Sequence, residues 1–410
     1  MRMTRRKTVG LCIAMVLVFM LLLVGVPRLQ RMRALDRAQQ LMQEHRFAAA
    51  LMVLDEFASD KEADTEVLLR KARCCRHLGL RSRFQTVLQT AEAGGADRLL
   101  TGRERVLQRV QSGDLANVGR LFSDQILNGA NDLPEICEAF ATGFLIMGRA
   151  PEALEVLGAW SADFPNDTQA WLLKGEAYHQ QQNPEEAAKC FLRAAELEST
   201  RWELQLAAGQ GLVELMDYEK ATPYFEQSLA HLTREPPGDR PPEALPNIVN
   251  GLSRCLVATG QPEQAEDLYS KHPEVAETAD GLLIRGRIAL LDGEAESAMQ
   301  LLDQALEQRR WDTEIRSVLA NALNAAGRRA KAAEHFRYLQ NAEPALREME
   351  LNLAAVQEDP QNADLRYAIA ATMLRYSDPG EARTWALSCL AIDPDHEAAQ
   401  ELLAEMQEEL

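Results

Sequence analysis

Aromatic residues and β-type patterns are scarce in this sequence. Phe, Trp and Tyr together make up 6% of its 410 residues, and no stretch alternates Val, Ile or Thr with polar residues as a half-buried strand does. Ala, Leu, Glu, Gln and Arg, most of which favour helices, dominate instead. The composition therefore predicts an all-α protein without a β-sheet.

The motifs of common enzyme and cofactor sites are also missing. The chain has no Gly-rich nucleotide-binding loop, no G-x-S-x-G nucleophile motif and no H-E-x-x-H zinc motif. Its 7 histidines are dispersed, and no two of them lie four residues apart. No helix is therefore expected to present two imidazoles on one face. We predict no enzyme activity, no cofactor and no metal site.

The 7 cysteines contain no C-x-x-C pair, which argues against a zinc site or a thioredoxin-type redox motif. Several lie where small apolar residues are usual in the repeat described below, so we expect buried thiols, with disulfide pairing left open. They are found at positions 12, 74, 75, 137, 190, 255 and 389.

Basic residues are few beyond the first quarter of the chain. Residues 1–110 contain 20 Lys or Arg and 11 Asp or Glu, yet the whole chain carries a net charge of −18. The distal part is therefore strongly acidic, which makes nucleic acid an unlikely partner for most of the chain. Solvation of exposed helix faces is the simplest explanation of so many acidic residues.

One long hydrophobic run, residues 8–26, follows a basic N-terminal tail at residues 1–7. Its 19 residues would form a helix of about 28 Å, close to the ~30 Å hydrocarbon core of a bilayer. No A-x-A-like cleavage site follows, and Pro27 would obstruct cleavage after Val26. We predict an uncleaved transmembrane signal-anchor helix, with a cleaved signal peptide as the alternative.

The orientation of this single-pass anchor is nearly balanced by charge, because basic residues both precede and follow the run. The short basic tail favours a soluble domain on the extracytoplasmic, periplasmic side. The basic residues after the run would suit a cytoplasmic surface equally well, so that orientation stays open.

A regular spacing of large and small residues organises the rest of the chain, and it is clearest at residues 167–200. Trp171 and Gly175 lie in a first helical half, and Ala187 and Phe191 lie in a second. In two antiparallel packed helices, small residues stand where the backbones approach and large residues fill the gap. The pattern resembles a tetratricopeptide repeat.

The same frame extends in both directions at intervals near 34 residues, which is the period of this repeat. Lys174 and Ser199 replace the Leu and Pro that are usual in the family, although neither change removes a packing residue. Repeat units are predicted to begin near Arg31, Thr65, Leu99, Pro134, Thr168, Trp202, Pro246, Ala279, Thr313 and Ala363.

The resemblance implies a right-handed superhelical solenoid of helix hairpins, preceded by the one N-terminal transmembrane helix. Phe84 and Val118 occupy a position that is usually small, so the units nearest the anchor are predicted to be degenerate. The predicted segments are degenerate hairpins at 31–133, well-formed repeats at 134–233, a Pro-rich loop at 234–245, repeats at 246–344, an extra helix at 345–359, a repeat at 363–394 and a capping helix at 395–410.

In tetratricopeptide proteins the first helices line a groove, and certain positions of these helices usually contact the partner. The matching positions here include a run of amide and guanidinium groups able to bind an extended peptide. This predicted groove site consists of Asn250, Arg254, Arg287, Asn321 and Asn324. Polar residues that are merely tolerated on an exposed face are the alternative.

A second candidate surface is a basic cluster close to the predicted anchor. Its side chains could rest on an anionic membrane surface, where each would add up to about 1 kcal/mol. The cluster consists of Arg70, Lys71, Arg73, Arg76, Arg81 and Arg83.

These features favour a non-enzymatic, membrane-tethered scaffold or adaptor that binds partner proteins or peptides. Bacterial tetratricopeptide proteins of envelope biogenesis have a similar architecture, so the resemblance implies a role in assembly or biogenesis at the cell envelope. No unit has the Lys and Asn pair that clamps chaperone C-termini in this family. The alternatives are a ligand- or glycan-binding sensor on the same scaffold, which few groove aromatics support, and an enzyme of an unrecognised type.

Overall fold

The structure, a computed structural model, describes residues 26–57, 64–114, 133–236, 240–359 and 361–408. Every regular element in these ranges is a helix, so the all-α prediction is confirmed for them. The predicted basic tail at 1–7 and all but the last residue of the predicted anchor at 8–26 lie outside these ranges. None of the described helices is long and apolar enough to cross a bilayer.

The described helices fall into two compact units. The first unit contains ten helices: α1 (Val26–Gln43), α2 (Phe47–Phe57), α3 (Thr65–His77), α4 (Arg81–Ala93), α5 (Arg98–Gln111), α6 (Leu133–Ile146), α7 (Ala150–Asp163), α8 (Thr168–Gln180), α9 (Pro184–Leu197) and α10 (Trp202–Glu214). The segment Thr233–Arg240 also belongs to it.

The second unit contains the remaining eleven described helices. They are α11 (Tyr218–Leu232), α12 (Ala244–Ala258), α13 (Pro262–Lys271), α14 (Pro273–Ala276), α15 (Ala279–Leu291), α16 (Ala295–Gln308), α17 (Thr313–Ala325), α18 (Arg329–Glu358), α19 (Ala363–Tyr376), α20 (Pro379–Ile392) and α21 (Glu397–Glu408).

Local sequence signals explain where many of these helices begin. The side chain of Asp167 accepts a hydrogen bond from the backbone N–H of Gln169 at the start of α8. Asn183 caps α9 in the same way, and Pro184 follows it at the first helical position, where its missing N–H is not needed. Asp312 caps α17. These polar caps satisfy backbone donors that the helix itself leaves unpaired.

Close contacts between the two helices of a hairpin explain the small residues of the repeat pattern. In the first unit, a Cβ atom added at Gly175 in α8 would collide with the ring of Phe191 in α9. In the second unit, a Cβ atom at Gly286 in α15 would lie 2.7 Å from Cγ of Leu302 in α16. Ala187 is fully buried in the first of these contacts. The helices can approach so closely only because these positions carry no larger side chain.

Each unit has its own apolar core, built from successive hairpins. In the first unit, Leu157 and Trp160 of α7 pack with Leu173 of α8. In the second unit, Leu302 of α16 packs with Leu319 of α17. The hairpins therefore stack one upon the next within each unit, as expected for a helical-repeat solenoid.

The segment after the repeat that begins at Thr313 differs from its prediction. Pro344 was expected to close that repeat and residues 345–359 to form an extra helix, but α18 runs continuously through Pro344. A proline within a helix removes one backbone hydrogen bond, and tertiary packing can compensate for this loss. Met349 and Val356, beyond the proline, are buried against α19 and its neighbours. This packing accounts for the continuation of the helix.

Two smaller differences concern the loops of the second unit. The predicted Pro-rich loop at 234–245 is shorter, because α12 already begins at Ala244. The four-residue helix α14, which precedes α15, was not predicted. A Cβ atom at Gly281 of α15 would collide with the backbone of Val275 in α14. Gly281 is therefore required by the close approach of these two helices.

Candidate functional site

The predicted groove site lies on the first helices of three successive hairpins in the second unit. Asn250 and Arg254 are on α12, Arg287 is on α15, and Asn321 and Asn324 are on α17. Helix α12 contacts α15, and α15 contacts α17. The three helices that carry the predicted residues therefore follow one another along one side of the unit.

Two of these residues converge on a carboxylate that sequence reasoning did not select. The guanidinium of Arg287 donates to Oε1 of Glu314 at 2.7 Å, and a guanidinium nitrogen of Arg254 lies 3.8 Å from Oε2 of the same residue. All three side chains remain one-third to one-half exposed. Glu314 therefore holds two arginines from different hairpins at one accessible place.

The predicted asparagines have different environments. Asn321 and Asn324 are exposed on α17, and Asn321 follows Glu314 by seven residues, which places both on one helix face. Asn250 instead accepts a hydrogen bond of 3.0 Å from the hydroxyl of Tyr269, whose side chain is buried in the same hairpin. We call Arg254, Arg287, Glu314, Asn321 and Asn324 the arginine face.

The basic cluster near the predicted anchor is not the lipid-facing surface that was expected. Lys71 and Arg76 are 1% and 4% exposed, because α3 lies between neighbouring hairpins. The ammonium of Lys71 lies 3.1 Å from Oδ1 of Asp55, and a guanidinium nitrogen of Arg83 lies 2.5 Å from Oδ2. Lys71 is therefore buried beside its partner, whereas Arg83 and Asp55 keep 39% and 35% of their side chains exposed.

The other members of the cluster are divided between internal and exposed positions. Arg70 donates to the backbone carbonyl of Leu35 at 2.9 Å and to Glu66 at 2.8 Å. Arg73 pairs with the buried carboxylates of Glu104 and Glu135. Arg81 is exposed. A row of arginines close together in sequence is therefore not one surface.

Arg73 and Arg76 form a buried ionic network with carboxylates from α5 and α6. Both arginines donate to Glu104, at 3.1–3.3 Å, and both pair with Glu135. Arg103 also reaches Glu135, at 3.5 Å. Burial alone would raise the pKa of Glu104, but the charges of Arg76 and Arg73 outweigh it and keep that pKa below its ordinary value. Glu104 is therefore ionised, and the network as a whole joins α3, α5 and α6.

A cavity of about 460 Å³ opens beside this network, within the first unit. His45 and Phe47, at the turn between α1 and α2, form one wall, and His77 of α3 stacks on Phe47 with ring centroids 3.8 Å apart. The opposite wall includes Glu138 of α6 and Trp160 of α7. We call this space the histidine–carboxylate cavity.

The carboxylate of Glu138 is the most buried acidic group of this cavity that no arginine contacts directly. The residue is 9% exposed, and its Oε1 lies 3.9 Å from Nδ1 of His45 and 3.7 Å from Nδ1 of His77. Both distances exceed those of a hydrogen bond. Burial raises the pKa of Glu138 to about 7, and the charge of Arg76 opposes this only in part.

Both imidazoles of the cavity are neutral near pH 7. Burial, assisted by the charge of Arg201, lowers the pKa of His45 to about 3. Burial and the charge of Arg76 hold the pKa of His77 far below its ordinary value. Sequence reasoning missed this site, because positions 45, 77 and 138 are far apart and carry no shared motif. The sequence marks only a polar turn before Phe47. In the structure His45 lies in this turn and adopts a positive φ of 54°.

The cysteines are mostly buried where the structure describes them, as the sequence suggested. The six described cysteines are free thiols, and five of them are buried. Burial raises the pKa of the Cys74 thiol to about 12, so it is not a reactive thiolate at neutral pH. Within the described ranges, no group of three or more His, Cys, Asp or Glu residues is arranged to hold a metal ion.

Comparison with protein families matches residues 139–200 to the tetratricopeptide repeat. This match covers α6 to α9, and it supports the repeat that the sequence pattern indicates there. Comparison with curated protein sequences finds no significant match. Residues 139–200 are thus similar to a tetratricopeptide repeat, and the described part of the chain as a whole consists of stacked helical hairpins.

Several solved helical-repeat structures are similar to the chain, at low identity. Human IFIT1, solved as a dimer with m7Gppp-AAAA, is 13% identical, with 87% of this chain and 95% of that one covered and a TM-score of 0.40. A tetratricopeptide repeat protein from Parabacteroides merdae is 16% identical, with 72% and 99% covered and a TM-score of 0.35. MamA from MSR-1 is 18% identical, with 44% and 97% covered and a TM-score of 0.34. These values carry no argument about function.

Proposed function

We propose that this protein is a non-enzymatic, membrane-tethered scaffold that binds an extended segment of a partner protein at the arginine face. The observation that carries the proposal is the convergence of Arg254 and Arg287, from two hairpins, on the exposed carboxylate of Glu314. Guanidinium groups held in this way lose less side-chain freedom when a partner binds, which favours association.

The chemistry of the face suits a peptide with an acidic side chain. Two guanidinium groups share one carboxylate, so the three charges leave a net positive charge in an otherwise acidic chain. A partner carboxylate can approach the exposed edges of Arg254 and Arg287. Beside them, the exposed amides of Asn321 and Asn324 can each donate to and accept from a peptide backbone.

Charge reversal tests this assignment with a matched control. We expect the double variant Arg254→Glu, Arg287→Glu to reduce partner capture from native membranes at least tenfold, with unchanged helix content by circular dichroism. Arg347→Glu is the control, because Arg347 is exposed on α18, outside the arginine face. Its guanidinium forms an ion pair with Glu343 of the same helix. Unchanged capture by the double variant would exclude the arginine face.

The nature of the partner can be identified by photo-crosslinking. A photo-reactive amino acid in place of Arg287, irradiated in native membranes, should give one dominant protein adduct that mass spectrometry identifies. A glycan adduct would favour the sensor alternative instead. The arginine face consists of guanidinium, carboxylate and amide groups, and sugar-stacking aromatics are absent from it.

Membrane tethering is part of the same proposal and rests on the sequence. The 19 apolar residues at 8–26 are long enough to span a bilayer, and the basic tail before them suits an exported soluble domain. A role in assembly at the cell envelope follows from this placement. Deletion of residues 8–26 should move the protein from the membrane to the soluble fraction, and protease added outside the inner membrane should digest the intact protein's repeats. Unchanged fractionation would refute the tether, and full protection would reverse the orientation.

A further inference from the structure

The histidine–carboxylate cavity of the first unit has chemistry that the scaffold role does not use. We propose that this cavity is a binding site for a primary ammonium group, with Glu138, His45 and His77 as its three acceptors. The ammonium belongs either to a lysine side chain of a bound protein or to a small diamine. The proposal is independent of the arginine face, which lies in the other unit.

Three acceptor atoms converge in the histidine–carboxylate cavity. Nδ1 of His45 and Nδ1 of His77 face the same oxygen of Glu138, at 3.9 and 3.7 Å. These separations are too long for direct hydrogen bonds, but a nitrogen donor can lie about 2.8 Å from each acceptor. A primary ammonium group has three N–H donors, which equals the number of acceptors.

The protonation state of the two imidazoles also suits an ammonium ligand. Burial keeps both of them neutral at pH 7, so each ring has one nitrogen with a free lone pair. When Nδ1 is that nitrogen, it accepts a hydrogen bond from the ligand. A protonated imidazole would repel a cation, whereas a neutral one adds an acceptor without charge.

The carboxylate of Glu138 has two imidazoles, and no ammonium or guanidinium group, as its paired neighbours among the described residues. The residue is 9% exposed, and among the described residues no group donates a hydrogen bond to its carboxylate. Arg76 pairs with Glu104 and Glu135. Arg201 lies 3.6 Å from Glu203 and donates to Gln169, although its buried Nη1 has no hydrogen-bond partner, and it does not line the cavity. A buried carboxylate without a counter-ion is unfavourable by several kcal/mol in general, and a bound ammonium removes this penalty.

The charged groups around Glu138 come from several elements. Arg76 and Arg201 favour its ionised form, whereas Glu135 and Asp167 oppose it. Asp167 also accepts a hydrogen bond of 3.0 Å from the indole N–H of Trp160. Arg73 also lines the cavity, but it pairs with Glu104 and Glu135. Four acidic residues line the same space, so its charge favours a cation over an anion.

The walls of the cavity suit the apolar stem that carries an ammonium. Phe47 and Trp160 line the space together with Met42. Aromatic rings attract cations at their faces and pack against methylene groups along their edges. The volume of about 460 Å³ lies in the usual range for small-ligand pockets, roughly 300–1,000 Å³. A butylammonium stem can therefore enter with its charged end towards Glu138.

Titration calorimetry of the full-length protein in detergent at pH 7.5 tests the proposal. The probes are Nα-acetyl-lysine amide, 1,5-diaminopentane and Nα-acetyl-Nε-trimethyl-lysine amide. We expect binding of the first two and at least tenfold weaker binding of the trimethylated probe, which keeps the charge but has no N–H donor at the ammonium. Tighter binding of the lysine amide assigns the ligand to a protein, and tighter binding of the diamine assigns it to a small molecule.

Two variants make the test specific. Glu138→Gln removes the charge in an equal volume and should weaken binding of both amines at least tenfold. Glu155→Gln is the control, because Glu155 is exposed on α7 of the same unit and does not line the cavity. Circular dichroism at pH 7.5 checks that both variants are folded.

Three results would overturn the proposal. One is equal affinity of the wild type and Glu138→Gln for the lysine amide. Another is equal affinity of the wild type for the lysine and trimethyl-lysine probes, which would show that the three acceptors are not used. The last is binding of Zn²⁺ without amine binding, which would make His45, His77 and Glu138 a metal site.

Discussion

The buried carboxyl group of Glu138 should make the stability of the first unit fall as the pH rises. Burial raises its pKa from the ordinary 4.5 to about 7 in the folded chain. Between these values the folded chain holds a proton that the unfolded chain has lost, so the free energy of unfolding decreases with pH. At about 1.4 kcal/mol for each pH unit, the ionised group destabilises the unit by about 3 kcal/mol above pH 7.

The variant Glu138→Gln isolates this effect, because glutamine is neutral at every pH. We expect the variant and the wild type to differ by less than about 0.5 kcal/mol at pH 4.5, where the carboxyl group is protonated in the folded chain and about half protonated in the unfolded chain. Above pH 7 the variant should be more stable by about 3 kcal/mol. His45 and His77 resist protonation in the folded chain, so they reduce stability as the pH falls below about 6.5. That trend is common to both proteins and cancels in the comparison.

Urea unfolding of the full-length protein, followed by circular dichroism at pH 4.5, 6.0 and 8.0, measures this difference. Glu155→Gln is again the matched control and should change stability by less than about 0.5 kcal/mol at each pH, as exposed substitutions usually do. A difference between Glu138→Gln and wild type that is the same at pH 4.5 and 8.0 would refute the reasoning. So would a variant that is less stable at pH 8.0.

Two further predictions concern the packing and the ionic network of the first unit. Gly175→Ala should destabilise the first unit by about 1–3 kcal/mol in urea unfolding, because the added methyl group collides with a ring in α9. Gly158→Ala, where the added methyl group enters open space on α7, should be neutral or stabilising. Equal changes in the free energy of unfolding for the two variants would disprove the close contact at Gly175. Arg76→Ala should cost about 3–5 kcal/mol because it leaves Glu104 buried beside fewer counter-charges. Arg81→Ala, at an exposed position of the same predicted cluster, should change the midpoint little, and similar losses for both arginines would show that burial is not the cause.

Many starts of the first helices of the hairpins could be predicted from the sequence because the signals are local. The predicted unit starts at Thr65, Thr168 and Thr313 coincide with the first residues of helices, and an aspartate caps each of these helices. A cap and the spacing of small and large residues act within one hairpin. Such information is present in about 34 consecutive residues and needs no knowledge of distant contacts.

The continuation of α18 through Pro344 could not be predicted in this way. Proline is a strong local signal for a helix end, and the sequence offered no opposing local signal. The helix continues because residues beyond the proline are buried against α19, which begins at Ala363. Tertiary packing therefore outweighed a local preference.

The basic cluster shows the same limit for charged residues. Arg73 and Arg76 are near each other in sequence, but their carboxylate partners Glu104 and Glu135 lie 28 to 62 residues away (135 − 73 = 62). A count of charges along the chain cannot distinguish a buried ion pair from an exposed patch. The arginine face was partly foreseen, because the repeat frame assigns first-helix positions, but its central carboxylate, Glu314, was not.

The sequence by itself determined that this chain forms helices, where many of the first helices begin, and that they pair as hairpins, because caps and the 34-residue pattern act locally. Only the tertiary structure decided which polar groups are buried together. His45, Arg76 and Glu138 come from three different hairpins, and their burial and mutual distances set their charge states. Electrostatic free energy depends on distance and burial in three dimensions, so this site follows from the fold and not from any stretch of the chain.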